Sequence, residues 1–213
     1  MADDLKYGYK GAEPTQSQSA NTGVFSTDDI NELIQAKQWV SVGNLELIET
    51  QILNDPTYST KFVRFENLGN YNVHFVTFTN VLNNGYFPLG IQVQTSTGWK
   101  TGSNYQYALQ TYQDTGLLVD SSTGYTSCKL NSSAYRGVNG YAWIYNAIDS
   151  SKFTSFTSHT SSVRGNNLGI EGNWGMSWYQ SAEAVTGIQF VYEGVLYAMG
   201  GFGQYSLYGL RGA

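Results

Sequence analysis

Tyr105-Gln106-Tyr107-Ala108-Leu109-Gln110-Thr111 is the stretch on which the fold turns. Tyr105, Tyr107, Leu109 and Thr111 fall on one set of alternate positions, Gln106, Ala108 and Gln110 on the other. Successive side chains of an extended chain point to opposite faces, so this pattern predicts an antiparallel strand with one face buried. Upstream, Tyr71-Asn72-Val73-His74-Phe75-Val76-Thr77-Phe78 carries apolar residues on both faces, as a central strand would. Leu45 and Leu47 begin the same period of two, and further candidates lie at 61–66, 89–95, 125–130, 140–146, 174–179, 185–192 and 204–210. Turn clusters such as Asn83-Asn84-Gly85 and Asp120-Ser121-Ser122-Thr123-Gly124 separate them, with Asn84-Gly85 suited to a type I′ hairpin turn. Roughly ten short strands without βαβ alternation predict an all-β chain, an antiparallel β-sandwich of jelly-roll-like form.

Ahead of this domain, placed at 44–213, the pattern differs. Residues 1–25 have no period of 2 or 3.6 and are punctuated by Gly8, Gly11, Pro14 and Gly23. They read as an extended arm, either disordered or ordered on another surface, for which Tyr7 and Tyr9 on alternate positions are suited. Residues 26–43 read as an amphipathic helix and linker. Ser26 and Asp29 have the capping-box arrangement, Phe25 and Ile30 are spaced for a hydrophobic staple, and Ile30, Leu33 and Ile34 follow at helical spacing. Trp39 is expected at the helix exit.

Composition bounds the function. Only 13% of the 213 residues are charged, about half the average share, while 15% are aromatic. Ser, Thr, Asn, Gln and Gly take the place of charge. A net charge of −5 argues against a nucleic-acid partner, which would need clustered Lys and Arg. No apolar run approaches the roughly 18–20 residues of a membrane helix, and the opening Met1-Ala2-Asp3-Asp4-Leu5-Lys6 lacks the basic and apolar regions of a secretory signal. One cysteine, Cys128, excludes an intrachain disulfide. Synthesis in a reducing cytoplasm without membrane association is the expectation.

The residue types of catalysis are sparse. His74 and His159 share no metal-ligand spacing; His74 reads as a sheet side chain and His159 as loop or edge strand. Cys128 reads as a small buried hydrophobe rather than a nucleophile. Glu46 and Glu49, three apart, are expected on opposite faces of a strand and unable to share a glycosidic bond. Asp28 and Asp29 are accounted for by the helix dipole. Gly200-Gly201-Phe202-Gly203 is followed by strand, not helix, and is expected to be a turn rather than a phosphate loop. Asn131-Ser132-Ser133 matches a glycosylation sequon without a secretory context. No catalytic residue, metal or cofactor is expected, and the chain reads as non-enzymatic.

What remains is the aromatic set. Trp99, Trp143, Trp174 and Trp178, with Tyr141, Tyr145 and Tyr179, suit either a core or subunit interface or, alternatively, a sugar-binding platform. Tyr141, Trp143 and Tyr145 share one strand face and Ala142 and Ile144 the other, so one of the two must point inward.

Several segments in order carry a family resemblance. Gly8-Tyr9-Lys10-Gly11-Ala12-Glu13-Pro14-Thr15-Gln16-Ser17, Gly23-Val24-Phe25-Ser26 and the helix ending in Trp39 open the chain. Leu45-Glu46-Leu47-Ile48-Glu49, Tyr71 to Phe75, Tyr141 to Ala147 before Asp149-Ser150-Ser151-Lys152-Phe153, and Ser206-Leu207-Tyr208-Gly209-Leu210 follow. Over nearly its whole length the chain resembles small β-rich virion structural proteins of marine tailed phages, including those of cyanobacteria. The resemblance implies a non-enzymatic virion component made in the host cytoplasm, a capsid decoration (cement) protein. It would form a homo-oligomer such as a trimer and contact the capsid shell or tail. Tyr7, Tyr9, Pro14, Phe25, Ile30 and Leu33 would make assembly contacts. The alternative is a tail or head appendage that binds a host-surface receptor or glycan, with Trp99, Trp174 and Trp178 facing the ligand. A long fibre would carry a repetitive shaft, which this sequence lacks.

Overall fold

The computed structural model describes residues 45–57, 59–60, 62–82, 87–132, 136–163, 169–192 and 201–210. The chain divides into two units, Met1–Asn44 and Leu45–Ala213, and the described residues all belong to the second. The expected arm with Tyr7, Tyr9 and Pro14, the helix with Phe25, Ile30, Leu33 and Trp39, and the Asn84-Gly85 turn lie outside the described residues.

Among the described residues the regular secondary structure is all strand. In chain order the strands are β1 (Leu45–Asn54), β2 (Val63–Phe65), β3 (Val73–Leu82), β4 (Leu89–Thr95), β5 (Gly98–Trp99), β6 (Tyr105–Gln113) and β7 (Gly116–Tyr125). β8 (Cys128–Lys129), β9 (Arg136–Tyr145), β10 (Thr154–Val163), β11 (Ile170–Tyr179), β12 (Gly187–Tyr192) and β13 (Phe202–Leu210) complete them. Eight strands make one antiparallel sheet in the order β1-β13-β3-β9-β10-β11-β6-β7. The second sheet runs β2-β12-β4-β5, with β8 also paired to β4.

The two sheets share one core. The larger contributes Val76 and Phe78 of β3, Ala142 and Ile144 of β9, Phe156 of β10, and Tyr205 and Leu207 of β13. Phe65, Ile91, Val93, Ile188 and Phe190 come from the smaller. Phe190 joins them directly: its ring lies 5.5 Å from that of Phe78 and 4.8 Å from that of Tyr205. Tyr105 makes a second tie, its hydroxyl accepting from the Val93 amide at 3.0 Å and donating to the Lys100 carbonyl at 2.8 Å. This is the sandwich that the period-two pattern predicts. The alternation of the deciding stretch is reproduced, with Tyr105, Tyr107, Leu109 and Thr111 buried on β6.

Beneath β10, β11 and β6 the interior turns polar. Asn173 accepts from the Thr111 hydroxyl at 2.7 Å and the Ser132 amide at 3.1 Å, and its own amide donates to buried Glu171 at 3.2 Å. Ser162 and Ser132 hydroxyls also donate to Glu171, at 3.1 and 3.0 Å. Hydrogen bonding is what makes such groups tolerable inside a fold.

Three local expectations are corrected. Asp120-Ser121-Ser122-Thr123-Gly124 is strand rather than turn: it belongs to β7, which pairs with β6 from Gln113↔Gly116 to Tyr105↔Tyr125. His159 lies on β10, an interior strand between β9 and β11, not on a loop or edge. Glu46 and Glu49 do not sit in simple alternation. The β1–β13 register shifts between Leu47 and Glu49, so the two glutamates pair with Gly209 and Leu207, residues of the same parity on β13. A bulge resets the alternation on which the opposite-face argument depended.

Candidate functional site

The outward face of the eight-stranded sheet gathers the aromatic side chains that the core does not use. Because Ala142, Ile144, Phe78 and Phe156 face inward, their neighbours Tyr141, Trp143, Tyr145, Phe75, Thr157 and His159 face out. Antiparallel register aligns these into cross-strand rows. Tyr208, Phe75, Trp143, Thr157, Met176 and Ala108 form one row across β13, β3, β9, β10, β11 and β6. Thr77, Tyr141, His159, Trp174, Gln110 and Val119 form the next, and Val73, Tyr145, Ser155, Trp178, Gln106 and Thr123 the third.

Within these rows the rings pack on one another. Phe75 lies 4.5 Å from Trp143, 5.5 Å from Tyr141 and 6.2 Å from Tyr208. His159 is stacked on Tyr141 at 5.1 Å and tilted against Trp174 at 4.2 Å. The Tyr141 hydroxyl and His159 Nδ1 are hydrogen-bond partners at 3.1 Å, which ties the imidazole to its cross-strand neighbour. Contacts of this kind between rings stabilise beyond simple burial, by about 0.5–1.5 kcal/mol each.

Toward β6 the platform opens. Trp174 is 58% exposed, Met176 50% and Trp178 42%, all projecting from β11. Beside them β6 offers Gln106, Ala108 and Gln110, and beyond lies β7 with Val119, Ser121 and Thr123. Ala108 is too small to fill the space, and two hollows result. One, of about 370 Å³, is lined by Ala108, Gln110, Val119, Trp174 and Met176; the other, of about 430 Å³, by Gln106, Ala108, Ser121, Thr123 and Trp178. They share Ala108 and so form one shallow groove running along β6.

The remaining sequence candidates are distributed elsewhere. Trp99 sits on β5 of the other sheet, with the Arg64 guanidinium 5.0 Å over its ring, and does not join Trp174 and Trp178. Tyr179 is turned into the core at 1% exposure, and its hydroxyl donates to Glu183 at 3.0 Å. Cys128 is a buried free thiol. His74 is buried on β3 with Nε2 2.8 Å from the Leu68 carbonyl, the arrangement of a neutral imidazole donating its proton. Burial holds its pKa below the ordinary histidine value, against the opposing effect of that hydrogen bond. Lys129, whose Nζ is 2.7 Å from Asp120, also lies 5.0 Å over the Tyr107 ring. Burial opposes the Asp120 carboxylate, but hydrogen bonds from Lys129 and Tyr107 outweigh it and leave its pKa depressed. Among the described residues no three His, Cys, Asp or Glu converge as metal ligands would. Nor does any described helix have the length and apolarity to cross a membrane.

No protein-family model matches this chain, and no curated protein matches it in sequence. The chemistry available to the outer face therefore has to be read from the face itself. It offers ring surface, amide and hydroxyl groups in fixed rows, and no charged side chain along the groove.

The sequence identified Trp174 and Trp178, but not their companions. Met176 and Ala108 carry no functional signature of their own. Their position could have been found only by pairing β11 with β6 in register, which needs the long-range partner to be known.

Proposed function

We propose that the chain is a non-enzymatic virion structural protein of the capsid decoration type, assembling with copies of itself and with other virion proteins. One observation carries the reading. β7, an edge of the eight-stranded sheet, runs for ten residues and exposes Leu117 (52%), Leu118 (52%) and Val119 (74%) in succession. Monomeric proteins guard such edges with Lys, Pro or inward charge, because unpaired strand groups template association. β7 has neither Lys nor Pro; it carries one inward charge, Asp120, which Lys129 and the Tyr107 hydroxyl at 3.0 Å engage, so the run Leu117 to Val119 ahead of it holds no guarding charge of its own. An edge left open in this way is suited to an assembly contact, and the low overall charge lets many copies crowd with little repulsion. The segment-by-segment resemblance to marine phage structural proteins supplies the setting, and the arm over residues 1–25 belongs to the same proposal as an attachment element. So does the jelly-roll-like character of the sandwich, supported by the pairing of strands distant in sequence, such as β1 with β13.

The experiment is incorporation into particles. Leu117→Lys together with Leu118→Lys should leave the isolated protein folded and lower its copy number on particles at least several-fold, as should deletion of residues 2–25. Undiminished incorporation of both variants would refute the reading.

A further inference from the structure

The geometry points to the groove along β6 as a binding site for a neutral oligosaccharide. The groove takes the outward side chains of β7, Val119, Ser121 and Thr123, as one wall, while the assembly contact uses the free backbone edge of that strand, and the inference does not depend on where the chain sits in a particle.

Three features select the ligand class. The first is the pairing of unlike walls. Trp174, Met176 and Trp178 present exposed apolar surface on one side; on the other, β7 presents the Ser121 and Thr123 hydroxyls opposite Trp178 and apolar Val119 at the Trp174 end, with Gln106 and Gln110 between the walls. A pyranose has the same division: its axial C–H groups make an apolar face that lies flat on a ring, and its equatorial hydroxyls form hydrogen bonds at the rim. The second is charge. None of the side chains lining either hollow is ionised, so a sulfated, phosphorylated or carboxylated ligand would be desolvated without a partner, at a cost that a neutral ligand does not incur. The third is the state of the backbone. β6 is paired along its length to β11 on one side and β7 on the other, so its peptide groups are committed to the sheet. Along β6 a peptide that binds by adding a strand finds no free ladder, the outer side of β7 being the edge that offers one, whereas a ligand read by side chains needs none.

Length follows from the strand. Trp174 and Trp178 are four residues apart on one face, roughly 13 Å at the usual rise of about 3.3 Å per residue. That separation exceeds a single sugar ring, so the site suits a chain of sugars lying along β6 rather than a terminal monosaccharide. His159, hydrogen-bonded to Tyr141 through Nδ1, packs against Trp174.

The test uses the full chain and a defined panel of pentasaccharides, gluco-, manno- and galacto-configured, with sulfated counterparts, measured by titration calorimetry. At least one neutral pentasaccharide should bind, and Trp174→Ala or Trp178→Ala should each weaken it tenfold or more. Trp178→Phe should retain part of the affinity, and Gln106→Ala should weaken binding less than either tryptophan change. Circular dichroism and melting temperature show whether each variant remains folded. The inference is overturned if no neutral pentasaccharide binds at millimolar concentration, if only the sulfated forms bind, or if binding survives the double tryptophan variant. It is also overturned if sedimentation shows the wild type self-associating through these tryptophans, since a second copy would then be the occupant.

Discussion

Phe190→Ala tests whether two sheets share a single core. Phe190 is 0% exposed on β12, and its only ring partners among the described residues, Phe78 and Tyr205, belong to the opposite sheet at 5.5 and 4.8 Å. Removing the ring forfeits up to about 3 kcal/mol of apolar burial. It also removes two ring contacts of about 0.5–1.5 kcal/mol each. The cavity left behind cannot collapse without moving one sheet against the other. Large-to-small changes of this kind cost about 3–5 kcal/mol, and the upper part of that range is expected here. For a chain of this size each kcal/mol lowers the melting temperature by about 2–4 °C, so a fall of at least about 8 °C should follow. Urea unfolding monitored by tryptophan fluorescence is the assay, with the midpoint falling and the slope unchanged. Trp178→Ala, on the outer face, should cost less than about 1 kcal/mol. A Phe190→Ala loss below about 1 kcal/mol, or one no larger than that of Trp178→Ala, would refute the shared core.

Other consequences follow from particular contacts. Gly209→Ala would place a Cβ 2.3 Å from the Tyr71 ring, which covers this glycine, and should destabilise by about 1–3 kcal/mol in the same unfolding assay; adding Tyr71→Ala should relieve part of the loss. Glu183 is held to a pKa of about 2 by hydrogen bonds from Ser181, Lys100 and Tyr179. Its contribution is complete above the unfolded carboxylate value of about 4.3 and is lost as pH falls toward the folded value, so Glu183→Gln should flatten the acid limb of stability between those limits. His74, with its pKa depressed by burial, favours folding fully above about pH 6.5 and progressively less below it, because the unfolded chain then binds the proton more readily. Stability measured from pH 5 to 8 should therefore rise through this window, and His74→Gln should remove the rise.

Strands whose inward residues are apolar were legible from the sequence. β4, expected at 89–95, is found at Leu89–Thr95, and the alternation of 105–111 places the buried face of β6 correctly. β10 was not legible because its inward positions Thr154, Ser158, Thr160 and Ser162 are hydroxyl residues, which erase the hydropathy contrast that reveals a strand. Ser162 donates into the polar interior around Glu171 and Asn173, a feature assembled from four separate segments, and Thr160 donates to the Leu130 carbonyl. β7 was hidden for a different reason. Its Asp-Ser-Ser-Thr-Gly run has turn chemistry, and pairing with β6 overrides that local preference. The same limit applies to the groove: Trp174 and Trp178 stand out as residues, but the small floor at Ala108 and the hydroxyl wall of β7 exist only once the register is known.

Quantitative mass spectrometry of purified phage particles carrying this chain, referenced to the major capsid protein, tests the proposed role most directly. A decoration protein is predicted to be present in hundreds of copies, in a fixed ratio to the capsid subunit set by the symmetry of the shell. Absence from the particles, or a count of about a dozen or fewer, would contradict it.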